Sequence, residues 1–270
     1  MKKFIYFLLA GFITNGVVLA QNANYQPAVL RDVKIVQKLN SQIPLELTFK
    51  DETGQTVRLQ DYFGSKPVVL SLVYYECPNL CNMILNGVVR ALRAISFDVG
   101  KEFNVLTISF DPDEGPQLAA TKKQNYIKKY NRKGAEKGWH FLTGDQKAIA
   151  ALTDAVGFQY KYIPSSDQFA HASGIMVLTP AGKVARYFYG VEYSPRDLKF
   201  SLMEASKEKI GSPVDQVLLY CFSYDPTTGK YGLVIMRVLR LAGIATVLIL
   251  GSFMLVMLRR EKKGKLHDQS

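Results

Sequence analysis

Two mostly apolar runs in the middle of the chain predict its central strands. Residues 68–75 and 104–110 have the length of strands and little polar alternation, which is typical of strands buried on both faces of a sheet. Between them, residues 79–97 repeat apolar side chains at the three- and four-residue spacing of a helix. The pattern therefore predicts a buried strand, a helix and a second buried strand, in that order.

The rest of the central region repeats both kinds of pattern. Helices are predicted over 117–130, 146–156 and 194–210, and strands over 45–49, 57–59, 139–142, 173–178 and 184–189. A polar stretch that ends in Gly54 separates the first two of these strands and predicts a hairpin. Strands that alternate with helices indicate an α/β domain. We predict a thioredoxin-like fold with an added N-terminal β-hairpin.

Both ends of the chain carry membrane signals. Lys2 and Lys3 precede ten apolar residues, 4–13, and small residues follow before Gln21, which is the pattern of a secretory signal peptide. Residues 241–258 contain no charge and as a helix would reach about 27 Å, close to the thickness of a bilayer core. The basic residues that follow predict a cytoplasmic C-terminus and a single C-terminal transmembrane helix.

These signals divide the chain into six predicted segments. They are a signal peptide (1–20), a lead-in (21–40), a thioredoxin-like domain (41–212), a linker (213–236), a transmembrane helix (237–258) and a basic cytoplasmic tail (259–270). The domain between the two membrane signals is therefore predicted to be exported.

The net charge does not indicate a nucleic-acid-binding protein. The formal charge is +11, which by itself could suggest a nucleic-acid partner. Part of this charge lies at the two ends, and the remainder is spread along the domain without a basic stripe interleaved with aromatic residues. We therefore expect a solvated basic surface and no nucleic-acid partner.

Two of the three cysteines, Cys77 and Cys81, lie where the first buried strand passes into a helix. A helix N-terminus favours the thiolate form, and four-residue spacing on its first turn would place both sulfurs on one face. This arrangement suits two soft ligands of one ion or a dithiol that closes into a disulfide, and it differs from the usual Cys-x-x-Cys redox spacing. The third cysteine, Cys221, is predicted to be a buried inert thiol, with an intermolecular disulfide as the alternative.

A histidine could complete a metal site with the two thiols. His267 lies in the predicted tail, and His140 lies between Trp139 and Phe141, where a packed structural role is expected. His171 lies in a predicted loop just before a strand, where α/β domains often carry their sites. Two thiolates and one imidazole favour copper, since sulfur selects Cu(I) and imidazole also suits Cu(II), whereas structural zinc normally takes a fourth ligand. Met83 and Met176 are soft residues predicted to serve in packing.

Four features together resemble the Sco/SenC family over about residues 40–210. They are Pro78 between the cysteines, the segment Ser109–Asp113, the segment Gly138–Gly144, and His171 far downstream of Cys81. The family consists of membrane-tethered, thioredoxin-like copper proteins that help to assemble the copper centre of cytochrome c oxidase. The family often has an aspartate directly before its histidine, where this chain has Ala170, and many relatives are tethered by an N-terminal helix.

The resemblance implies Cys77, Cys81 and His171 as copper ligands. It implies the copper-bearing subunit of cytochrome c oxidase as the partner, together with other copper chaperones or thiol reductants. The implied location is the bacterial inner membrane, with the soluble domain in the periplasm. The predicted C-terminal anchor would make this chain a variant with reversed tethering.

Other interpretations stay open at this stage. A thiol–disulfide oxidoreductase would use Cys77 to attack and Cys81 to resolve, reducing the cysteines of an oxidase subunit. Such enzymes usually carry a proline just before the strand that faces their cysteines, and here the nearest proline is Pro164. A peroxidase-like relative would form sulfenic acid at one cysteine, and no residue specifically supports it. Asp111 and Asp113 indicate either a metal or docking pair or, as we favour, a turn at a strand end.

Overall fold

The computed structural model describes residues 33–210, four strand residues (224–225 and 230–231), and helical residues 243–244, 246–248 and 250–254. The strands are β1 (Lys34–Ile35), β2 (Thr48–Lys50), β3 (Thr56–Arg58), β4 (Val68–Val73), β5 (Asn104–Ser109), β6 (Trp139–Leu142), β7 (Phe158–Ile163), β8 (Gln168–His171), β9 (Gly174–Leu178), β10 (Val184–Tyr189), β11 (Tyr224–Asp225) and β12 (Lys230–Tyr231). The helices are α1 (Leu80–Ala94), α2 (Pro116–Tyr130), α3 (Gln146–Ala155) and α4 (Pro195–Ala205). Most predicted elements in this range are present, with ends that differ from the prediction by at most five residues.

A five-stranded sheet forms the centre of the domain, in the order β10-β9-β4-β5-β6. β4 runs parallel to β5 and β5 parallel to β6, whereas β9 is antiparallel to both β4 and β10. All residues of β4 and β9 are buried, as expected for apolar strands covered on both faces. This mixed sheet with its helices gives the thioredoxin-like α/β fold that the sequence predicts.

The carboxyl ends of β4 and β5 lie side by side, because Val73 pairs with Ser109 in parallel register. The loop after β4 carries the cysteines, and the loop after β5 carries the sequence Asp111–Pro112–Asp113–Glu114. Both loops therefore meet at one edge of the sheet, which is where α/β folds place their sites.

A second, three-stranded sheet has the order β1-β7-β8. Its β7–β8 hairpin ends at His171, which pairs with Tyr160. The prediction that His171 lies in a loop was therefore wrong. Pairing between β7 and β8 is a tertiary contact, and the partly exposed side chains of these strands give no clear apolar run.

Near the N-terminal end of the described region, β2 and β3 pair antiparallel. β2 starts three residues later than the alternating pattern predicted. The turn between these strands is closed by Asp51, whose Oδ1 accepts the backbone N–H groups of Thr53 and Gln55 at 2.8 and 2.9 Å. This is the local hydrogen bonding for which aspartate is favoured in turns.

Several predicted segments lie outside the described residues. They are the signal peptide, most of the lead-in and linker, and the basic tail, together with Cys221 and His267. The predicted transmembrane segment 237–258 is described in part, as helix. Among the residues that the structure describes, none of the helices combines the length and the apolar character that a membrane crossing requires.

Candidate metal centre

The two cysteines lie at different places in the local structure. The cysteine loop, which we define as residues 74–79, joins β4 to α1. Cys77 belongs to this loop, and its N–H donates to the carbonyl of Tyr74 at 3.4 Å. Cys81 is the second residue of α1, and its N–H donates to Cys77 Sγ at 3.4 Å. Cys77 thus precedes the helix instead of sharing its first turn, yet it receives a backbone N–H from the helix start.

The structure brings Cys77, Cys81 and His171 together. One donor atom from each lies within 4.8 Å of the others, and Cys81 Sγ is 3.3 Å from His171 Nε2. All three residues are buried. The histidine joins the cysteines because β8 ends beside the cysteine loop, although it lies ninety positions beyond Cys81 in the chain.

The orientation of the His171 ring is set by its other nitrogen. Nδ1 lies 3.0 Å from the backbone carbonyl oxygen of Ala172, and only a protonated Nδ1 can donate to that oxygen. This contact fixes the ring so that Nε2 faces the cysteine sulfurs. The rings of Tyr74, Phe110 and Phe158 pack around the imidazole, with centroids 5.2–6.1 Å away.

The two thiols differ strongly in acidity. The hydrogen bond from the Cys81 thiol lowers the pKa of Cys77 to about 3, and hydrogen bonds from His171, the Cys81 N–H and Tyr74 act in the same direction, against the effect of burial. Burial and the hydrogen bond to Cys77 raise the pKa of Cys81 well above its ordinary value. These opposite shifts favour the state in which Cys77 carries the negative charge and Cys81 keeps its proton.

This donor set fits a soft cation. A metal bound at about 2.3 Å from sulfur and 2.0 Å from nitrogen requires donors no more than about 4.6 Å apart, so small shifts would bring the three atoms into range. Two sulfurs and one imidazole are the ligands that Cu(I) prefers, and the imidazole also suits Cu(II). No carboxylate joins this group among the described residues.

Other residues singled out by the sequence have different roles. His140 lies on β6, with Nδ1 3.4 Å from Glu52 and its ring packed at a tilt against that of Tyr62, so the prediction of a structural role is confirmed. Met176 is fully buried as predicted, whereas Met83 is 50% exposed and the packing prediction for it was wrong. Met83 lies off the face of α1 that carries the buried residues.

The acidic loop after β5 is a turn, which is the interpretation of Asp111 and Asp113 that we favoured from the sequence. Asp111 Oδ1 accepts the N–H of Asp113 at 3.0 Å.

The next residue, Glu114, is one that sequence reasoning missed. Its carboxylate is buried and accepts the backbone N–H groups of Tyr75 and Glu76, both at 2.7 Å. Burial raises the pKa of Glu114, while hydrogen bonds from Ser109, Tyr75 and Glu76 oppose that rise. Its only signal in the sequence is its place after a buried strand.

Comparison with known proteins identifies relatives of the described domain. The SCO1/SenC family model matches residues 37–205, a range that includes all three candidate ligands. The chain is 25% identical over 156 residues to the SCO1 protein homolog of Bacillus subtilis (strain 168), which covers 56% of this chain and 75% of that protein.

Two solved structures extend this comparison. A “putative electron transfer protein” from Aquifex aeolicus VF5 is 25% identical, with a TM-score of 0.56 over 64% of this chain and 96% of that one. ScoI from Bradyrhizobium japonicum, solved with copper bound, is 22% identical, with a TM-score of 0.47 over 61% of this chain and 98% of that one.

Proposed function

Because the chain belongs to the SCO1/SenC family, we propose that it carries copper in the bacterial cell envelope and delivers it during cytochrome c oxidase assembly. The observation that supports this most directly is the convergence of Cys77, Cys81 and His171 from two separate sheets. The expected recipient is the copper-bearing oxidase subunit, and other copper chaperones or thiol reductants are the expected suppliers.

The charges of the site suit a cargo that must be both held and released. Cys77 offers an anionic sulfur before the metal arrives, and binding of the second sulfur releases the proton of Cys81. Burial of the three donors excludes water from the ion. A set of three protein donors leaves room for a ligand from the recipient to join before the first ligands leave.

A copper titration of the purified full-length protein tests this proposal. We expect one copper per chain and near-ultraviolet sulfur-to-copper charge-transfer bands. Cys77→Ala should abolish these bands and His171→Ala should shift them, because each removes one donor. His140→Ala is the matched control, since this histidine lies outside the site, and it should keep the bands. Bands that persist in Cys77→Ala, or that are unchanged in His171→Ala, would show that copper binds elsewhere.

A second candidate function is thiol–disulfide exchange, and the unequal acidity of the thiols supports it. The Cys77 thiolate would attack a client disulfide to form a mixed disulfide and release one client thiolate. Cys81, after losing its proton, would then attack the Cys77 sulfur, form the Cys77–Cys81 disulfide and release the second client thiolate. A thiol reductant in the same compartment would restore the dithiol.

The two functions can be separated with one variant. His171→Ala removes a copper ligand but neither exchanging sulfur, so it should weaken copper binding and retain most of the disulfide reductase activity. Measurement of both activities on the same preparation decides the matter. A wild-type protein that retains copper but reduces no client disulfide would exclude the exchange function, and a reductase that retains no copper would exclude the carrier.

We also propose that segment 237–258 anchors the chain in the inner membrane, with the domain in the periplasm. The absence of charge over 241–258 and the basic residues that follow it support this arrangement.

A further inference from the structure

We propose that Glu114 is a positioning residue for the copper site, one that fixes the backbone of the cysteine loop without touching the metal. The inference rests on the copper-binding role proposed above for Cys77, Cys81 and His171. It concerns how the protein places the first of these sulfurs.

The carboxylate of Glu114 binds the two residues that directly precede Cys77. Oε2 accepts the N–H of Tyr75, and Oε1 accepts the N–H of Glu76, each at 2.7 Å. The Ser109 hydroxyl donates to Oε2 at 2.5 Å. One side chain therefore joins the end of β5 to the entrance of the cysteine loop.

Only a carboxylate meets the demands of this position. Two consecutive backbone N–H groups need two acceptor oxygens held in one plane, which an ionised glutamate provides and a glutamine does not. Burial of this carboxylate costs free energy, because Glu114 is 8% exposed and none of the ion pairs among the described residues includes it. A buried carboxylate without a cationic partner does not by itself stabilise a fold. We therefore assign Glu114 a role in placing the loop.

A second contact holds the loop on the other side of Cys77. The Asn82 amide donates from Nδ2 to the carbonyl of Cys77 at 3.2 Å. Its Oδ1 accepts from the Tyr126 hydroxyl at 3.2 Å and from Lys122 at 3.4 Å, both on α2. Glu114, just before α2, therefore holds the loop directly on one side of Cys77, and α2 supports the other side through Asn82 of α1. The Cys77 sulfur is thereby placed before any metal arrives, which lowers the cost of binding.

The test is Glu114→Gln in the full-length protein, with Asp113→Asn as the matched control, because Asp113 is an exposed carboxylate in the same loop. We expect Glu114→Gln to weaken copper binding by about 10- to 100-fold and to shift the sulfur-to-copper bands. Hydrogen exchange at the amides of Tyr75 and Glu76 should accelerate at least tenfold. Asp113→Asn should match the wild type in all three measurements. A Glu114→Gln protein with wild-type affinity and bands would overturn the proposal.

Two further measurements keep the test decisive. If Glu114→Gln does not fold, Ser109→Ala removes one of the three partners of the carboxylate, and we expect about a fivefold loss of copper affinity. Unchanged affinity in that variant would overturn the proposal. If the wild-type protein binds no copper, the carrier function fails, but amide exchange and the alkylation rate of Cys77 in the metal-free protein still test Glu114. If both rates are the same in Glu114→Gln as in the wild type, the positioning role of Glu114 is rejected.

Discussion

At the scale of single residues, the two cysteines are chemically unequal although they are neighbours in space. Hydrogen bonding from Cys81 lowers the pKa of Cys77, while burial raises that of Cys81. The spacing of the cysteines predicted that they would meet, but not that Cys77 alone would carry the charge. That asymmetry depends on Cys77 lying in the loop and on the distance to His171, neither of which the spacing determines.

The low pKa of Cys77 predicts an unusual pH profile for its alkylation. The rate of reaction with iodoacetamide should change little from pH 5 to pH 8, because the thiolate is already the main form above about pH 3. An ordinary thiol, with a pKa of about 8.5, would react nearly tenfold faster for each added pH unit in this range. Mass spectrometry of the Cys77 peptide from reduced, metal-free protein gives the rate.

Cys81→Ser and Cys81→Ala are the controls for this profile. Serine keeps a hydrogen-bond donor beside Cys77 and should retain part of the flat profile, whereas alanine removes the donor and should restore a steep dependence on pH. A wild-type rate that rises tenfold per pH unit would contradict the assignment of the charge to Cys77.

At the scale of elements, Glu52 joins the β2–β3 hairpin to the rest of the domain. Its carboxylate pairs with Lys123 of α2, lies 3.4 Å from His140 Nδ1 and accepts the N–H of Phe141 at 3.1 Å. Burial alone would raise the pKa of Glu52, but hydrogen bonds from His140 and Lys123 outweigh this effect and lower it to about 2. The hairpin is therefore attached to α2 and β6 by a group that is ionised at neutral pH.

Glu52→Gln should lower the free energy of unfolding by about 1–3 kcal/mol at pH 7. The pKa of Glu52 is depressed in the folded protein, so its contribution is full above the ordinary value of about 4.5 and disappears as the pH falls towards 2. The difference between wild type and variant should therefore shrink over that interval. Urea unfolding at several pH values measures it.

The control for this prediction is Glu46→Gln, which alters an exposed glutamate. It should change the free energy of unfolding by no more than about 0.5 kcal/mol at any of these pH values. A difference between wild type and Glu52→Gln that stays constant from pH 7 to pH 2 would show that the charge of Glu52 is not responsible.

The elements that the sequence predicted well are those whose pattern reflects burial. β4 and β5 are mostly apolar strands buried along nearly their whole length, and α1 repeats its buried residues at helical spacing. The β7–β8 hairpin was missed because its side chains are only partly buried and its pairing is non-local. Glu114 was missed for a related reason, since no periodicity identifies a carboxylate that is buried by a loop.

At the scale of the whole molecule, the sequence predicts that residues 237–270 hold the domain at the membrane. Removal of these residues should transfer the protein from the membrane fraction to the soluble periplasmic fraction, because the domain would lose its only predicted anchor once the signal peptide is cleaved. Immunoblotting of separated cell fractions tests this. A matched truncation after residue 258, which removes only the basic tail, should stay in the membrane fraction. Equal distribution of full-length and truncated proteins would contradict the anchor.

The site spans two sheets, since the cysteines follow β4 of the central sheet and His171 ends β8 of the smaller one. A bound ion would cross-link the two sheets, and its binding free energy would stabilise the contact between them. Loading would therefore stiffen the junction and unloading would slacken it. A recipient that displaced the β7–β8 hairpin from the central sheet would withdraw His171 from the ion. Opening of the junction between the sheets and release of copper would then be the same event.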